Sequence, residues 1–324
     1  MAKTSDIVKR SLGKSGILVS PVGFGAMELS GGGKGLGRMF PALSQEEKNA
    51  VVRAAIDGGV TWIDTAEIYG NGVSEESVAA ALEAAGKSSG DIVVATKWFP
   101  FLRSARNIPR NVVARIAHLR PYPIDLYMVH QPYGFSSPEA EMNAMADLIE
   151  AGKIRAAGVS NFSAERMKRA HAALAKRGLP LAVNQVRFSL IDRKIETNGI
   201  LETAKELGVT IIAYTPLGSG LLTGRYHRNP ELIGTKRGLG RGQIRKKLEA
   251  TRPLVAALEE IGRNHEATAA QIALAWVVQA RGEIVVTIPG ATKVSQAAES
   301  AASMRIGLAE GEIARLDELS RGFR

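Results

Sequence analysis

The chain has 324 residues, and its 42 Lys and Arg residues outnumber 32 Asp and Glu, giving a formal net charge of +10 at pH 7. Because it contains no cysteine, disulfides, thiolate metal sites and a cysteine nucleophile are excluded. Apolar residues make up 45% of the chain and charged residues 23%, a composition typical of a globular protein with a large core. No apolar stretch approaches the ~20 residues of a membrane-spanning helix, and the N-terminus lacks a secretory signal. We therefore expect a cytoplasmic protein with no membrane partner.

Short β-branched segments alternate with longer amphipathic segments along the chain. Eight of the short segments are predicted as buried strands, because continuous apolar runs are typical of parallel strands covered on both faces. These segments are 19–25, 61–64, 92–96, 124–129, 156–159, 182–185, 209–213 and 284–288.

Start and stop signals for helices lie between these strands. A capping box begins at Ser44. Apolar-periodic segments follow Ser74 and Ser163, and Pro138 is suited to the first turn of a helix. A further helix is predicted for 197–207. Strict alternation of eight strands with helices predicts an α/β fold, a (β/α)8 TIM barrel, with an open doubly wound sheet as the alternative.

Three segments exceed the needs of a barrel. We predict an N-terminal β-hairpin over residues 9–20, a long loop containing a helix over 217–261, and an extra C-terminal helix over 309–319. No shift in composition marks a linker, so the expected organisation is a single domain, residues 1–324.

Polar residues follow the predicted strand ends, where the chemistry of a barrel is located. They are Asp64, Lys97, His130, Ser160, Asn161, Gln185 and Tyr214, with Pro289 and Gly290 after the last strand. Each residue alone has an ordinary structural interpretation, such as a helix cap or a half-buried imidazole. A metal-dependent hydrolase is the weaker alternative for the set, because only one of the five histidines lies at a strand end.

Tyr69, Lys97, Asp64 and His130 together could protonate a substrate oxygen. A tyrosine keeps its proton at pH 7, a nearby ammonium group lowers its pKa, and an aspartate keeps the lysine charged. A histidine adds a hydrogen bond that orients a carbonyl oxygen. Because these side chains contain no redox centre, the accompanying hydride must come from a cofactor.

The sequence resembles the aldo-keto reductases from about Val8 to the C-terminal helix. The motifs that carry the resemblance are DTAEIYG at 64–70, TK at 96–97, DLYMVH at 125–130, GVSNF at 158–162, AYTPLGSGLLTG at 213–224 and IPGA at 288–291. In these motifs the sequence is similar to the bacterial and plant branches of the family and to the potassium-channel β-subunit branch.

The resemblance implies a role for each matching residue. Tyr69 would be the proton donor, Lys97 would tune its pKa, Asp64 would hold Lys97, and His130 would orient the carbonyl. The cofactor-binding positions would be Ser160, Asn161 and Gln185 at the nicotinamide amide, Tyr214 stacked on its ring, Pro216, Leu217, Ser219 and Leu222 along the pyrophosphate, and Gly290, Ala291, Thr292, Lys293, Gln296 and Ser300 at the adenosine end. Ser300 stands where relatives usually have an asparagine.

The resulting expectation is reversible, NADPH-dependent reduction of an aldehyde or ketone, with a small-molecule carbonyl as partner and no metal. NADPH is favoured over NADH because Lys293 offers a cation for a 2′-phosphate. The alternative is a cofactor-binding regulatory subunit resembling the potassium-channel β-subunits. Met27, Trp98 and Tyr133 are the candidate substrate-pocket residues, and Phe99, Phe101 and Leu102 would extend an apolar wall. The oligomeric state and the identity of the substrate stay open.

A basic cluster accounts for more than half of the net charge. It consists of Lys236, Arg237, Arg241, Arg245, Lys246 and Lys247, spaced by glycines, and is predicted as a basic loop over 236–247. Two interpretations of this cluster are left open: a solvated loop, and a lid that contacts a phosphate group. No aromatic residue interleaves these charges to stack on bases, so nucleic acid is not expected as a partner.

Overall fold

Eight parallel strands form the centre of the molecule. The computed structural model describes residues 7–32, 40–235 and 240–324. The strands of this sheet are β3 (Phe24–Gly25), β4 (Trp62–Asp64), β5 (Val93–Trp98), β6 (Ile124–Val129), β7 (Ile154–Ser160), β8 (Leu181–Arg187), β9 (Thr210–Tyr214) and β10 (Val285–Thr287). Each strand pairs in parallel with the strand next to it in the chain.

The sheet closes between its first and last strands. The Gly23 N–H donates to the Thr287 carbonyl at 2.7 Å, the Thr287 N–H donates to the Pro21 carbonyl at 2.9 Å, and Gly25 bridges Gly290. These bonds form a seam that completes the ring, so the predicted (β/α)8 barrel is confirmed and the open doubly wound sheet is wrong.

Helices surround the barrel and connect its strands. They are α1 (Gln45–Asp57), α2 (Val73–Ala84), α3 (Ile108–Leu119), α4 (Pro138–Glu150), α5 (Ala164–Ala175), α6 (Ile200–Leu207), α7 (Arg225–Arg228), α8 (Leu232–Thr235), α9 (Gly240–Lys247), α10 (Arg252–Asn264), α11 (Ala269–Gln279), α12 (Val294–Ala302) and α13 (Glu310–Leu319). The Ser44 hydroxyl caps α1 in the predicted capping box, and the Ser163 hydroxyl caps α5. None of the helices in the described ranges is long and apolar enough to cross a bilayer.

Ser74 does not open a helix as predicted. Helix α2 begins one residue earlier, after Gly72, whose φ of 102° lies in the left-handed region. The buried Ser74 hydroxyl instead donates to the Ala26 carbonyl at 2.7 Å and accepts from the Thr65 hydroxyl at 2.8 Å. The side chain therefore joins the loops after β3 and β4, a tertiary role that a local capping pattern does not reveal.

The predicted strand at 19–25 is divided in the structure. Its first residue belongs to the hairpin formed by β1 (Arg10–Ser11) and β2 (Leu18–Val19), and its last two form β3. The hairpin closes the amino-terminal end of the barrel, where Leu12, Ile17 and Val19 pack into an interior apolar cluster. A separate, larger cluster fills the space between the barrel and the helices.

The basic loop prediction is corrected in part. Lys236 and Arg237 lie outside the described residues, and the segment from Gly240 to Lys247 forms α9. Ile244 of this helix is buried, and the Lys247 ammonium donates to the Ile191 carbonyl at 2.7 Å. Both contacts anchor the segment, and tertiary contacts of this kind oppose the poor helix propensity of the glycines.

The close approach of the hairpin to the barrel depends on Gly13. Its φ is +55°, and a Cβ there would lie 2.6 Å from the Ala182 carbonyl oxygen. Gly16 in the same hairpin has a φ of +74° with nothing within 4 Å of its Cβ position.

We expect Gly13→Ala to destabilise the protein more than Gly16→Ala. Both substitutions strain the backbone by roughly 1 kcal/mol, but only the first adds a backbone clash, which should cost roughly 1–3 kcal/mol more. Urea unfolding of both variants measures the difference. Equal losses would show that the close approach at Gly13 relaxes without cost.

Candidate active site

A cavity of about 1590 Å³ opens at the carboxyl ends of the barrel strands. It exceeds the ~300–1,000 Å³ typical of a site for one drug-sized ligand. Side chains from the loops after β3 through β10 line it, and the predicted residues among them are Met27, Asp64, Tyr69, His130, Tyr133, Ser160, Asn161, Gln185, Tyr214, Pro216, Leu217, Ser219, Gly290, Ala291, Thr292, Gln296 and Ser300. The structure thus brings most of the predicted site together in one cleft.

A buried ion pair lies at the base of this cavity. The Lys97 ammonium donates to Asp64 Oδ1 at 2.5 Å and to the Thr65 carbonyl at 2.8 Å. The amide of Gln185 donates to the other Asp64 oxygen at 2.8 Å. Burial raises the pKa of Asp64 and lowers the pKa of Lys97, and the attraction between the two charges opposes both shifts. These hydrogen bonds hold the Lys97 ammonium group and both Asp64 carboxylate oxygens in one fixed arrangement.

Tyr69 lies above this ion pair, with Lys97 Nζ 5.1 Å from the centre of its ring. Burial raises the pKa of Tyr69 well above its ordinary value, and the negative charges of Asp64 and Glu28 add to the shift. In this structure the expected lowering of the tyrosine pKa by Lys97 is therefore outweighed. The phenol is fully protonated at neutral pH and is available as a proton donor.

His130 completes the tetrad of Asp64, Tyr69, Lys97 and His130. Its ring meets the Tyr69 ring edge to face, with 5.7 Å between the ring centres and an angle of 85°. Burial and the charge of Lys97 lower the pKa of His130 well below its ordinary value, so the imidazole is neutral at pH 7. Its buried Nδ1 has no hydrogen-bond partner among the described residues.

Polar side chains at the carboxyl ends of β7, β8 and β9 form a linked group on the opposite wall. Asn161 has a φ of 60°, and its Oδ1 accepts from the Tyr214 hydroxyl at 3.0 Å. The Ser160 hydroxyl donates to the Gln185 carbonyl at 2.9 Å. Amide and hydroxyl groups held in this way can both donate to and accept from a carboxamide, and Tyr214 offers an aromatic face beside them.

The loop after β9 has the unusual backbone of a segment that approaches a ligand closely. Five residues in its tight turns, Thr215, Gly218, Ser219, Gly220 and Gly224, have left-handed φ values. Leu222 does not line the cavity, because its side chain is fully buried in the core. Arg187 and Arg225 line the cavity at this point, and the sequence reasoning missed both.

The segment after β10 forms the far end of the cavity. Gly290 passes so close to Glu28 that a Cβ at Gly290 would lie 2.1 Å from a carboxylate oxygen. Thr292 and Gln296 line the cavity at the start of α12, whereas Lys293 is exposed and lies just outside the lining. The amino-terminal end of a helix with an adjacent lysine favours an anionic group.

Trp98 does not belong to the substrate pocket as predicted. Strand β5 continues through Trp98, and its alternation directs Lys97 into the barrel and Trp98 outward. Trp98 is fully buried in the outer apolar cluster, where its indole N–H donates to Asn107 at 2.9 Å. Phe99 lines the pocket in its place, with its ring centre 5.8 Å from that of His130.

A buried charge network outside the barrel supports the loops that carry the tetrad. Glu75 of α2 accepts from the hydroxyl of Thr96, the neighbour of Lys97, at 2.6 Å and pairs with Arg115 Nε at 3.0 Å. Glu67 pairs with Arg103 and accepts from the Phe99 N–H at 3.1 Å. Local sequence patterns do not identify these partners, because they lie on separate elements.

The cavity fits a dinucleotide cofactor better than a metal ion. Its lining extends from Tyr69 and His130 to Thr292 and Gln296 at the start of α12, and it includes an aromatic side chain, amide groups and two arginines. Within the described ranges, no group of three or more His, Asp or Glu side chains could hold a metal ion.

Comparisons with known proteins agree with this geometry. The model of the Aldo/keto reductase family matches residues 21–321. Aldo-keto reductase str7 of Strobilurus tenacellus is 35% identical, over 96% of this chain and 91% of that protein. A thermostable aldo-keto reductase crystallised with the inhibitor epalrestat has a TM-score of 0.76 and 31% identity, covering 96% of this chain and 99% of its own. An aldo-keto reductase from Klebsiella pneumoniae, crystallised with NADPH, has a TM-score of 0.74 and 27% identity, covering 97% and 95%.

We expect Glu75→Gln to flatten the dependence of stability on pH. Burial raises the pKa of Glu75 to about 7 in the folded protein from an ordinary 4.5. Its contribution is therefore fully present below pH 4.5 and is lost as the pH rises through 7, by roughly 3 kcal/mol. Urea unfolding between pH 5 and 8 measures the slope.

Glu83→Gln is the matched control, because Glu83 is an exposed glutamate of the same helix. It should keep the slope of the unaltered protein. A Glu75→Gln protein with that same slope would contradict the assignment.

Proposed function

The chain belongs to the aldo/keto reductase family of NAD(P)H-dependent carbonyl oxidoreductases, and from this premise we propose that it reduces an aldehyde or ketone with NADPH, with Tyr69 as the proton donor. The observation that carries the proposal is the placement of Tyr69, His130 and the Lys97–Asp64 pair around one end of a cavity large enough for a dinucleotide.

The two hydrogen-bond donors that face the substrate oxygen are Tyr69 and His130. The neutral imidazole of His130 donates to the carbonyl oxygen and orients it toward the phenol. When bound, NADPH supplies the hydride for the carbonyl carbon. Tyr69 gives its proton to the oxygen as negative charge develops there, which costs less than forming a free alkoxide.

Lys97 and Asp64 act on the tyrosine after its proton has left. The ammonium group, 5.1 Å from the ring centre, stabilises the phenolate until solvent returns a proton. Asp64 and the Thr65 carbonyl hold Lys97 in this position. Because burial raises the pKa of Tyr69, the phenol carries its proton at neutral pH, which is the state that the reduction requires.

The opposite wall would hold the cofactor in one orientation. Ser160, Asn161 and Gln185 bind the carboxamide, and Tyr214 supports one face of the ring. Leu217, Ser219 and Arg225 lie beside the pyrophosphate, with Thr292, Lys293 and Gln296 at the adenosine end. A lysine at the start of α12 suits a 2′-phosphate, so NADPH is the preferred cofactor.

The direct test follows cofactor absorbance at 340 nm with a panel of aldehydes, ketones and aldoses. Consumption of NADPH faster than of NADH with any carbonyl supports the proposal. Tight cofactor binding with no turnover across the panel would instead favour a regulatory, cofactor-sensing role.

Tyr69→Phe should lower kcat by at least about 100-fold, the low end for loss of a positioned acid. NADPH affinity should change little, because the phenol faces the substrate. Steady-state rates and fluorescence titration of NADPH measure the two effects. Survival of turnover in this variant would exclude Tyr69 as the donor.

Lys293→Ala should weaken NADPH binding by roughly 10-fold or more and leave NADH binding unchanged. A hydrogen bond to a charged partner contributes about 1.5–3 kcal/mol, and only NADPH carries the 2′-phosphate. Fluorescence titration with both cofactors gives the ratio, with Lys168→Ala, a change of an exposed lysine on α5, as the control. An equal loss for both cofactors would place Lys293 elsewhere along the ligand.

A further inference from the structure

Large apolar side chains are exposed beside the mouth of the cavity. Of the ten exposed large hydrophobic side chains among the described residues, four lie on the loops after β5 and β6: Phe101 at 56%, Leu102 at 67%, Tyr133 at 52% and Phe135 at 72%. We call these four residues the apolar lip. Such clustering marks a binding surface, whereas scattered exposed hydrophobics are ordinary.

Ring contacts connect two residues of the lip, Phe101 and Tyr133, with the tetrad. Starting at His130, the Phe99 ring lies 5.8 Å away between ring centres, and the rings of Phe101 and Tyr133 each lie 6.3 Å from Phe99. Phe99 and Tyr133 line the cavity itself. A continuous apolar path therefore leads from the position of the reacting carbonyl to the outer surface.

The backbone of the lip is held in a costly conformation. Leu102 occupies the third position of a turn closed by the Arg103 N–H donating to the Pro100 carbonyl at 2.9 Å. Its φ of +56° favours glycine or asparagine, so a leucine there strains the backbone. This strained backbone holds the Leu102 side chain in solvent, which does not stabilise the folded protein. Strain of this kind is found at binding sites.

Polar groups beneath the lip fix its two loops to each other. Glu67, on the Tyr69 loop, pairs with Arg103 and accepts from the Phe99 N–H. The Phe135 N–H donates to the Arg103 carbonyl at 2.9 Å, which joins the loop after β6 to the loop after β5. The charge of Arg103 is paired with a buried carboxylate, so the lip presents an apolar face.

We propose that the lip is a subsite for an apolar tail of the substrate, so that the enzyme selects aldehydes or ketones carrying a long alkyl chain or an extended ring system. The inference rests on the proposed function, because the tail is continuous with the carbonyl placed at Tyr69 and His130. Each methylene laid on the lip loses contact with water. Small polar carbonyls, such as short sugars, gain nothing from it.

The test compares kcat/KM for straight-chain aldehydes from propanal to nonanal. A fully buried methylene contributes ~0.8 kcal/mol, about fourfold in kcat/KM, and a half-buried one about twofold. We expect nonanal to exceed propanal by roughly 50-fold in the unaltered protein, mainly through KM. The ratio should fall about 10-fold in the double variant Phe101→Ser, Phe135→Ser. Val113→Ser, an exposed apolar residue on α3, is the matched control and should keep the full ratio.

A second measurement separates the lip from the chemistry. Calorimetric titration of unreactive carboxamides, from propanamide to nonanamide, into the NADP⁺-saturated protein reports tail binding without turnover. Affinity that rises with chain length and falls in the double variant supports the subsite. If no aldehyde is reduced but this dependence is seen, only the proposed reaction is overturned.

Chain-length independence in both series overturns the subsite and leaves the reductase intact. The lip would also be reassigned if the double variant changed the oligomeric state while keeping the chain-length ratio. That result, measured by light scattering, would make it a contact between two copies of this chain.

Discussion

The ion pair between Lys97 and Asp64 is the interaction on which the active site depends. Two opposite charges are removed almost completely from water, and such a pair is stable only when its remaining polar atoms are satisfied. The Thr65 carbonyl, directly after β4, and the Gln185 amide on β8 do this from different sides of the barrel. The position of the lysine under Tyr69 is thus determined by the closure of the barrel as a whole.

The pair also shifts the pKa values of its two neighbours, His130 and Tyr69, in opposite directions. Its positive end lowers the pKa of His130, and its negative end raises the pKa of Tyr69, each adding to the effect of burial. The result is a neutral imidazole beside a protonated phenol, the two states that the proposed mechanism uses. Both groups hold these states across the neutral range without any change in the protein.

Much of the fold and the tetrad could be predicted from the sequence, because both depend on the order of the strands and on the residues at their ends. Parallel strands end at a common edge, so Asp64, Lys97 and His130 could be grouped from their positions after predicted strands. Trp98 was misplaced because β5 extends one residue beyond Lys97, and one residue reverses the direction of a side chain. The partners of Glu67 and Glu75 were not predictable, since an ion pair between separate helices and loops leaves no periodic signal. The helix at 240–247 was not predicted because the glycine spacing favours a loop, whereas in the structure Ile244 of this segment is buried.

The seam of the barrel has a consequence for how the chain reaches its native state. The ring is closed by bonds between residues 21–25 and residues 287–290, and the Arg10 side chain reaches across to the Val285 carbonyl at 2.5 Å. The contacts that complete the barrel therefore join segments from opposite ends of the sequence, with a large cost in loop-closure entropy. During synthesis the first strand must wait, unpaired on one edge, until the last strand has left the ribosome. The floor of the active site, which needs the complete ring, is accordingly among the last parts of the molecule to form.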